Sequence, residues 1–350
     1  MIERHDRTRF EITVLNDAPR DGSPEQRRAV DAVDAFVDVF QFDDARLIDF
    51  IRQKEIDVLV NLDFASERLR REALAAHPAP LQVNFLGSPG TAAAPHSDYF
   101  IGDSVVVPAQ ERQWFVEKII YLPDSYQPND SKRAIGERAL SRREFGLPDD
   151  AFVFCNFNTG YKLNPDTFDA WSRILLGSPG SVLWLLQDNA TVVGNLRKEA
   201  AARGVDPSRL IFAKRTEPAE HLARNRLADL FLDGWPYGAH TTASDALWAG
   251  LPVLTRAGET FASRVGSSLL SAVGLPELIA PSRETYVAAA LDLAANPERL
   301  TALRERLQRN RLSTPLFDTE LYTRRLEAAF EAMHARRLAD LPPDHIHIPA

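Results

Sequence analysis

The second half of the chain carries short runs that are apolar almost without interruption, AFVFCNF, SVLWLLQ, RLIFA, ADLFLD, PVLT and LIA, and helical patterns separate them. A strand with one wet face alternates apolar and polar residues, so a continuous apolar run of roughly four to eight residues needs cover on both faces. Parallel sheets packed between helices supply that cover. The spacers fit: Asn164-Pro165 offers an N-cap and a first-turn proline to a helix burying Phe168, Trp171, Ile174 and Leu175, and residues 190–203 and 218–225 read as two more helices. Five or six parallel strands with crossover helices make a doubly wound sheet, in which ligands sit beyond the carboxyl ends of the strands.

The first half alternates in the same way. FEITVL, FVDVFQF, IDVLVNL, PLQVNFLG, DYFIGD and KIIYLP are strand candidates; helical patterns cover residues 24–34, 45–54, where Leu47, Ile48 and Ile51 share a face, and 66–76. This too is α/β. A chain of 350 residues is long enough for two domains of roughly 150 residues each. Between residues 123 and 150 the apolar periodicity lapses, which marks a link. The expected division is therefore 1–135 for the first lobe and 145–315 for the second, with a last helix over 316–340 and a loose, proline-rich tail over 341–350. The tail holds His345-x-His347, a pair with no third ligand near it in sequence, so no metal site is expected there. No internal repeat is visible.

Composition removes several classes of function. The net charge is −8, from 41 basic and 49 acidic residues, which speaks against a broad nucleic-acid surface. The single cysteine, Cys155, lies inside AFVFCNF as a small core residue, and one cysteine forms no disulfide within the chain. The start MIERHDRTRFEI has charge where a signal peptide needs an apolar core, and no apolar run approaches the ~18 residues of a membrane span. The expectation is a soluble cytoplasmic protein without a membrane partner; its oligomeric state is not legible.

The polar clusters fall at strand ends. After ADLFLD comes YGAHTTASDALWAG, a turn leading into a helix that begins near His240. Thr241 or Thr242 is expected to cap it, and hydroxyls beside free N–H groups at a positive dipole end suit a phosphate. Asp245, one turn further, is placed to accept hydrogen bonds from sugar hydroxyls. Taken alone, this reads first as an ordinary capped helix with a half-buried histidine. After AFVFCNF, the turn Asn158-Thr159-Gly160-Tyr161-Lys162 offers a lysine to a phosphate. His221 and Arg224, in the helix after RLIFA, suit the edge or face of a base. Glu259 and Thr260 in GETFASR either cap a helix or touch a ligand, with capping favoured. LGSPGT, at residues 86–91, is a Gly/Pro turn without an acid–base pair. The chain has no GxGxxG after its first strand, no GxxxxGK[ST], no HExxH, no GxSxG and no Asp-x-Asp.

Taken in order, FNTGYKLNPDTFDAW, SVLWLLQ, AEHLARNRLADLFLD, AHTTASDALWAGLPVLT, GETFASRV and STPLFDTELYTRRLE, with HPAPLQVNFLGSPGT, DYFIGD and EKIIYLPDSYQPND before them, resemble the catalytic region of the protein O-GlcNAc transferase and SPINDLY family. The resemblance covers nearly the whole chain and is densest over 154–322. It implies a GT-B glycosyltransferase: two Rossmann-like doubly wound lobes facing a central crevice, a nucleotide-sugar held mainly by the second, and a C-terminal helix crossing back to the first. Carried over by motif, Lys162 meets the diphosphate as the catalytic cation, with Thr159 and Tyr161 beside it. His240, Thr241 and Thr242 hold the diphosphate at the helix start, Asp245 binds the ribose, and His221 and Arg224 lie at the base. No cofactor or metal is implied. The activity implied is inverting transfer of GlcNAc from UDP-GlcNAc to Ser or Thr of a protein acceptor. The alternatives are a related donor such as GDP-fucose, or a nucleotide-sugar-binding module without turnover. Three departures go with the resemblance. Met1 falls just after the place of a further strand and a His-bearing loop. Phe64-Ala65-Ser66 stands where the family often has Gly, His or Tyr, and Thr. The TPR repeats usual in the family are absent from this chain. The catalytic base is left unassigned.

Overall fold

Every strand pairing among the described residues is parallel, as uninterrupted apolar runs require. The structure, a computed structural model, describes residues 1–62 and 70–350. Its contacts divide the chain into one unit of Met1–Asn129 with Asp318–Ala350 and a second of Asp130–Phe317. Phe64-Ala65-Ser66 and the start of the helix expected over 66–76 lie outside the described residues.

The first unit opens with β1 (Thr13–Asn16), α1 (Pro24–Asp31) and β2 (Ala35–Asp38), the two strands pairing among the described residues only with each other. Then come α2 (Asp44–Gln53), β3 (Val58–Asn61), α3 (Arg71–Ala75), β4 (Leu81–Asn84), β5 (Tyr99–Asp103) and β6 (Lys118–Leu122). Ser23 accepts from Gln26 N and Asp43 from Arg46 N, the short-side-chain caps that start α1 and α2. Leu47 and Ile51, one turn apart, bury the inner face of α2 with Val39, Ala73 and Ala79.

The second unit begins earlier than the lapse of periodicity suggests. Residues 130–150, expected as linking chain, are bound into it: Gly136 N donates to Ala219 O at 2.8 Å and Arg142 holds Asp229 at 2.8 Å. Its elements are β7 (Val153–Asn156), α4 (Pro165–Gly177), β8 (Val182–Leu186), α5 (Ala190–Ala202), β9 (Leu210–Ala213), α6 (Pro218–Asn225), β10 (Leu230–Leu232), α7 (Thr241–Ala249), β11 (Val253–Arg256), α8 (Phe261–Ala272), β12 (Ile279–Ala280), α9 (Arg283–Ala295) and α10 (Pro297–Asn310). Every residue of β7, β8 and β10 is buried, the two-sided cover inferred from their composition. Asn164 caps α4 by accepting from Thr167 N at 3.1 Å, with Pro165 opening the helix.

The chain then returns to the first unit with α11 (Thr319–Leu338) and β13 (Ile346–His347). Leu326, Ala329 and Met333, at helical spacing, pack on Leu81, Val83, Tyr99, Ile101 and Ile120. The tail is ordered where a loose end was expected. β13 pairs in parallel with β6, completing a sheet of order β13-β6-β5-β4-β3. His345 Nδ1 accepts from Ile119 N at 2.9 Å, and the His347 ring stacks on Tyr121 with centroids 4.4 Å apart. The histidines supply hydrogen bonds and stacking that the proline-rich composition concealed. No helix among the described residues is long and apolar enough to cross a membrane.

Candidate functional site

The six-stranded sheet of the second unit has the order β12-β11-β10-β7-β8-β9. The chain builds outward from β7 to β9, then returns to lay β10 on the other side of β7 and builds the opposite way. The connections after β7 and β10 thus diverge, and a crevice opens at their carboxyl ends. The turn bearing Lys162 follows β7, and the turn leading to His240 follows β10.

Asp233, at the end of β10, organises the second turn. Its fully buried carboxylate accepts from Gly234 N at 2.7 Å, Ala239 N at 2.6 Å and Thr255 Oγ1 at 2.6 Å, closing residues 234–239 into a loop. Burial pushes its pKa up to about 6, against these donors and the nearby Lys162 ammonium. Gly238 passes so close that a β-carbon there would lie 3.1 Å from Asp233 Oδ2 and 3.3 Å from Ala262 O. From the other side, Thr167 donates to Trp235 O at 2.8 Å, and Tyr286 donates to Asp233 O at 2.8 Å. The loop is built to be rigid.

Lys162 ends a short 3-10 turn (Gly160–Lys162) and lies across this loop: Nζ donates to Gly238 O at 3.0 Å and stands 4.2 Å from the centre of the Tyr237 ring. Burial lowers its pKa, with the Asp233 carboxylate opposing. Tyr237 stacks in turn on His240, centroids 5.0 Å apart and planes at 19°. His240 Nε2 lies 3.1 Å from Ala262 O, an acceptor, so the neutral ring keeps its proton on Nε2. Burial and then Lys162 hold its pKa down to about 4, so it is uncharged at neutral pH.

α7 begins at Thr241 with His240 as N-cap, and no side chain caps it, contrary to the expectation that Thr241 or Thr242 would. Both threonines already lie inside the first turn, where their N–H groups find no carbonyl within the helix. Thr241 is exposed. Thr242 Oγ1 instead donates to Asn158 Oδ1 at 2.5 Å, joining α7 to the turn after β7. The open end of α7, with its positive dipole, and the Lys162 ammonium make the local charge suited to an anion.

Asp245, one turn along, is paired with Arg133 Nη1, and burial raises its pKa while Arg133 opposes that shift. His221 and Arg224 on α6 form a second pair: Arg224 Nε donates to His221 Nδ1 at 2.9 Å, which leaves the proton of a neutral imidazole on Nε2. Phe157, at the end of β7, lies edge to face with His221 and under the Arg224 guanidinium. Burial, then Arg224 and Arg133, hold His221 down to about 4, and burial lowers Arg224 to about 10. Thr159 caps the 3-10 turn only through its backbone, and Tyr161 is 77% exposed, its ring near-perpendicular to that of Tyr237.

The candidate residues after β7, on α6 and around α7 are thus linked by contacts within one unit. Sequence reasoning gave no role to Asp233, Tyr237, Asn158 or Arg133. An acidic residue ending an apolar strand before a turn with two glycines and a proline was the available signal for Asp233; Arg133 had none, lying far off in sequence. Thr260 caps α8 reciprocally with Ser263, the capping alternative of the two considered for it. The LGSPGT turn belongs to the first unit, tied there to buried Glu117 by Thr91 Oγ1 at 2.5 Å.

Comparison with known proteins bears on the whole arrangement. The glycosyl transferase family 41 profile matches residues 1–140 and 128–326. The chain is 35% identical over 350 residues to an Arabidopsis thaliana protein described as a probable UDP-N-acetylglucosamine–peptide N-acetylglucosaminyltransferase SEC, covering 98% of this chain and 36% of that protein. A Caenorhabditis elegans UDP-N-acetylglucosamine–peptide N-acetylglucosaminyltransferase is 29% identical, with 98% of this chain and 39% of that protein covered. The chain therefore spans little over a third of the length of these relatives. Among solved structures, a point mutant of a Thermobaculum terrenum O-GlcNAc transferase superposes with a TM-score of 0.88 at 32% identity, over 97% of this chain and 64% of that one. On the profile match, the identities and the shared fold of parallel α/β sheets, the chain belongs to glycosyl transferase family 41.

Proposed function

We propose that this chain transfers GlcNAc from UDP-GlcNAc to the hydroxyl of Ser or Thr in a protein acceptor, with inversion at the anomeric carbon. The acceptor oxygen attacks that carbon, the bond to the diphosphate breaks, and UDP leaves with the electron pair. The acceptor proton goes to a base that remains unassigned. Lys162 and the open start of α7 stabilise the departing negative charge, so catalysis rests on preorganised electrostatics and not on a protein nucleophile. Asp245 takes the ribose and His221 and Arg224 the base, with Thr159, Tyr161, His240, Thr241 and Thr242 completing the donor site. Positive charge from the lysine and the helix end makes a divalent cation unnecessary in this scheme.

The observation that carries the proposal is the position of Lys162: a half-buried ammonium, 3.0 Å from Gly238 O, beside the uncapped end of α7 at the switch point between β7 and β10. The relatives' names support the choice of donor and acceptor. The test is turnover by the purified chain with UDP-GlcNAc and Ser/Thr peptides, with UDP and GDP binding measured in parallel. UDP release coupled to peptide glycosylation is expected. Nucleotide binding without turnover would reduce the protein to a binding module, and turnover only with GDP-fucose would overturn the donor.

A further inference from the structure

Arg133 lies among residues expected as linker and belongs to none of the motifs discussed above. Its backbone is fixed to α7, because Trp248 Nε1 donates to Arg133 O at 3.1 Å. Its Nη1 reaches Asp245 Oδ1. Its positive charge is also felt at His221 on α6, so the guanidinium stands near both the ribose candidate and the base candidate. Its Nε and Nη2 are shielded from solvent and have no acceptor among the described residues. A buried donor without a partner is costly, more so when charged, and two on one side chain call for an explanation. Nε–H and Nη2–H lie along one edge of the planar guanidinium and point the same way, the fork that grips two oxygens or one oxygen twice.

From this geometry we infer that Arg133 is a nucleoside-recognising residue: Nη1 orients Asp245 for the ribose, and the Nε/Nη2 edge donates to oxygen acceptors of the bound nucleoside. The inference rests on the donor site proposed above. It assigns Arg133 to the nucleoside and not to the diphosphate, because Arg133 contacts Asp245 inside α7 while the diphosphate candidates lie at the start of that helix and at Lys162.

The test compares Arg133→Lys and Arg133→Ala with the unaltered chain, measuring dissociation constants for UDP, inhibition constants for uridine and pyrophosphate against UDP-GlcNAc, and thermal midpoints. Both substitutions remove the fork, and lysine keeps the charge beside Asp245. The expected result is about 10- to 100-fold weaker UDP and uridine binding in both variants, with pyrophosphate unchanged. An Arg133→Lys variant that binds UDP as the unaltered chain does would show that charge alone suffices and overturn the fork. Equal loss of UDP and pyrophosphate affinity with a lowered midpoint would show that Arg133 only anchors α7, and would overturn it too. Unaltered UDP binding in both variants removes Arg133 from the site while the donor reading stands. An unaltered chain that does not bind UDP sinks the donor reading itself, and this inference with it.

Discussion

Lys162 shows how a commonplace loop residue becomes distinctive through its surroundings. Its ammonium stands over the Tyr237 ring and donates to a backbone carbonyl, and burial lowers its pKa. Replacing it by methionine keeps an unbranched apolar side chain while removing the charge. If it stabilises the leaving diphosphate, Lys162→Met should lower kcat at saturating donor by about 100-fold or more, with the unfolding free energy changed by less than about 1 kcal/mol. Steady-state kinetics and urea unfolding check both halves. The same site sets a pH dependence. His221 and His240 are held near 4 in the fold but titrate near 6.5 when unfolded, so on acidification the unfolded chain takes up protons that the fold refuses. Their contribution to stability is complete above about 6.5 and is lost as pH falls towards 4. Asp233, raised to about 6, works in reverse, since the fold takes its proton before the unfolded chain does. Two histidines outweigh one carboxyl, so stability measured by urea unfolding should fall between pH 6.5 and 5. Asp233→Asn removes the offset, and its stability should fall more steeply over that interval. A flat profile in both proteins would contradict the assignment.

At the scale of elements, the start of α7 and the end strand β13 depend on partners remote in sequence. α7 opens without a side-chain cap, and its approach is set by the loop closed on Asp233. Gly266 lies against the same carboxylate: a β-carbon there would sit 2.8 Å from both Asp233 Oδ2 and Thr255 Oγ1. Gly266→Ala should therefore cost about 1–3 kcal/mol by overpacking and weaken donor binding through the loop, measurable as a shifted urea midpoint and a raised KM for UDP-GlcNAc. β13 is held through His345 Nδ1, the acceptor for the buried Ile119 N–H. His345→Phe keeps a ring but leaves that N–H unpaired, and should destabilise the protein by about 1–3 kcal/mol. Hydrogen exchange at Ile119 would locate the effect in the first unit.

For the molecule as a whole, charge balance governs the reaction scheme. In a chain of net charge −8, local positive charge for the diphosphate comes from Lys162 and the α7 terminus. If these supply the counter-charge for the diphosphate, transfer should proceed at an unchanged rate in excess EDTA, and a requirement for added Mg2+ or Mn2+ would refute the scheme. Much of the frame was legible in the residues. Uninterrupted apolar runs demand two-sided cover, and β7, β8 and β10 have it. Asn164-Pro165 starts α4 because capping is a local interaction. Lys162, His221, Arg224, His240 and Asp245 could be singled out because each follows a strand end. Other features were not legible, since they join residues distant in the chain. Arg133 meets Asp245 across 112 positions, Thr242 meets Asn158 across 84, and the histidines of the tail find β6 across more than 200. Local pattern fixes which segments become strands and helices, because period and capping act over a few residues. Which polar groups meet, which lose water and which shift their pKa was decided only when the sheet order brought β7 beside β10.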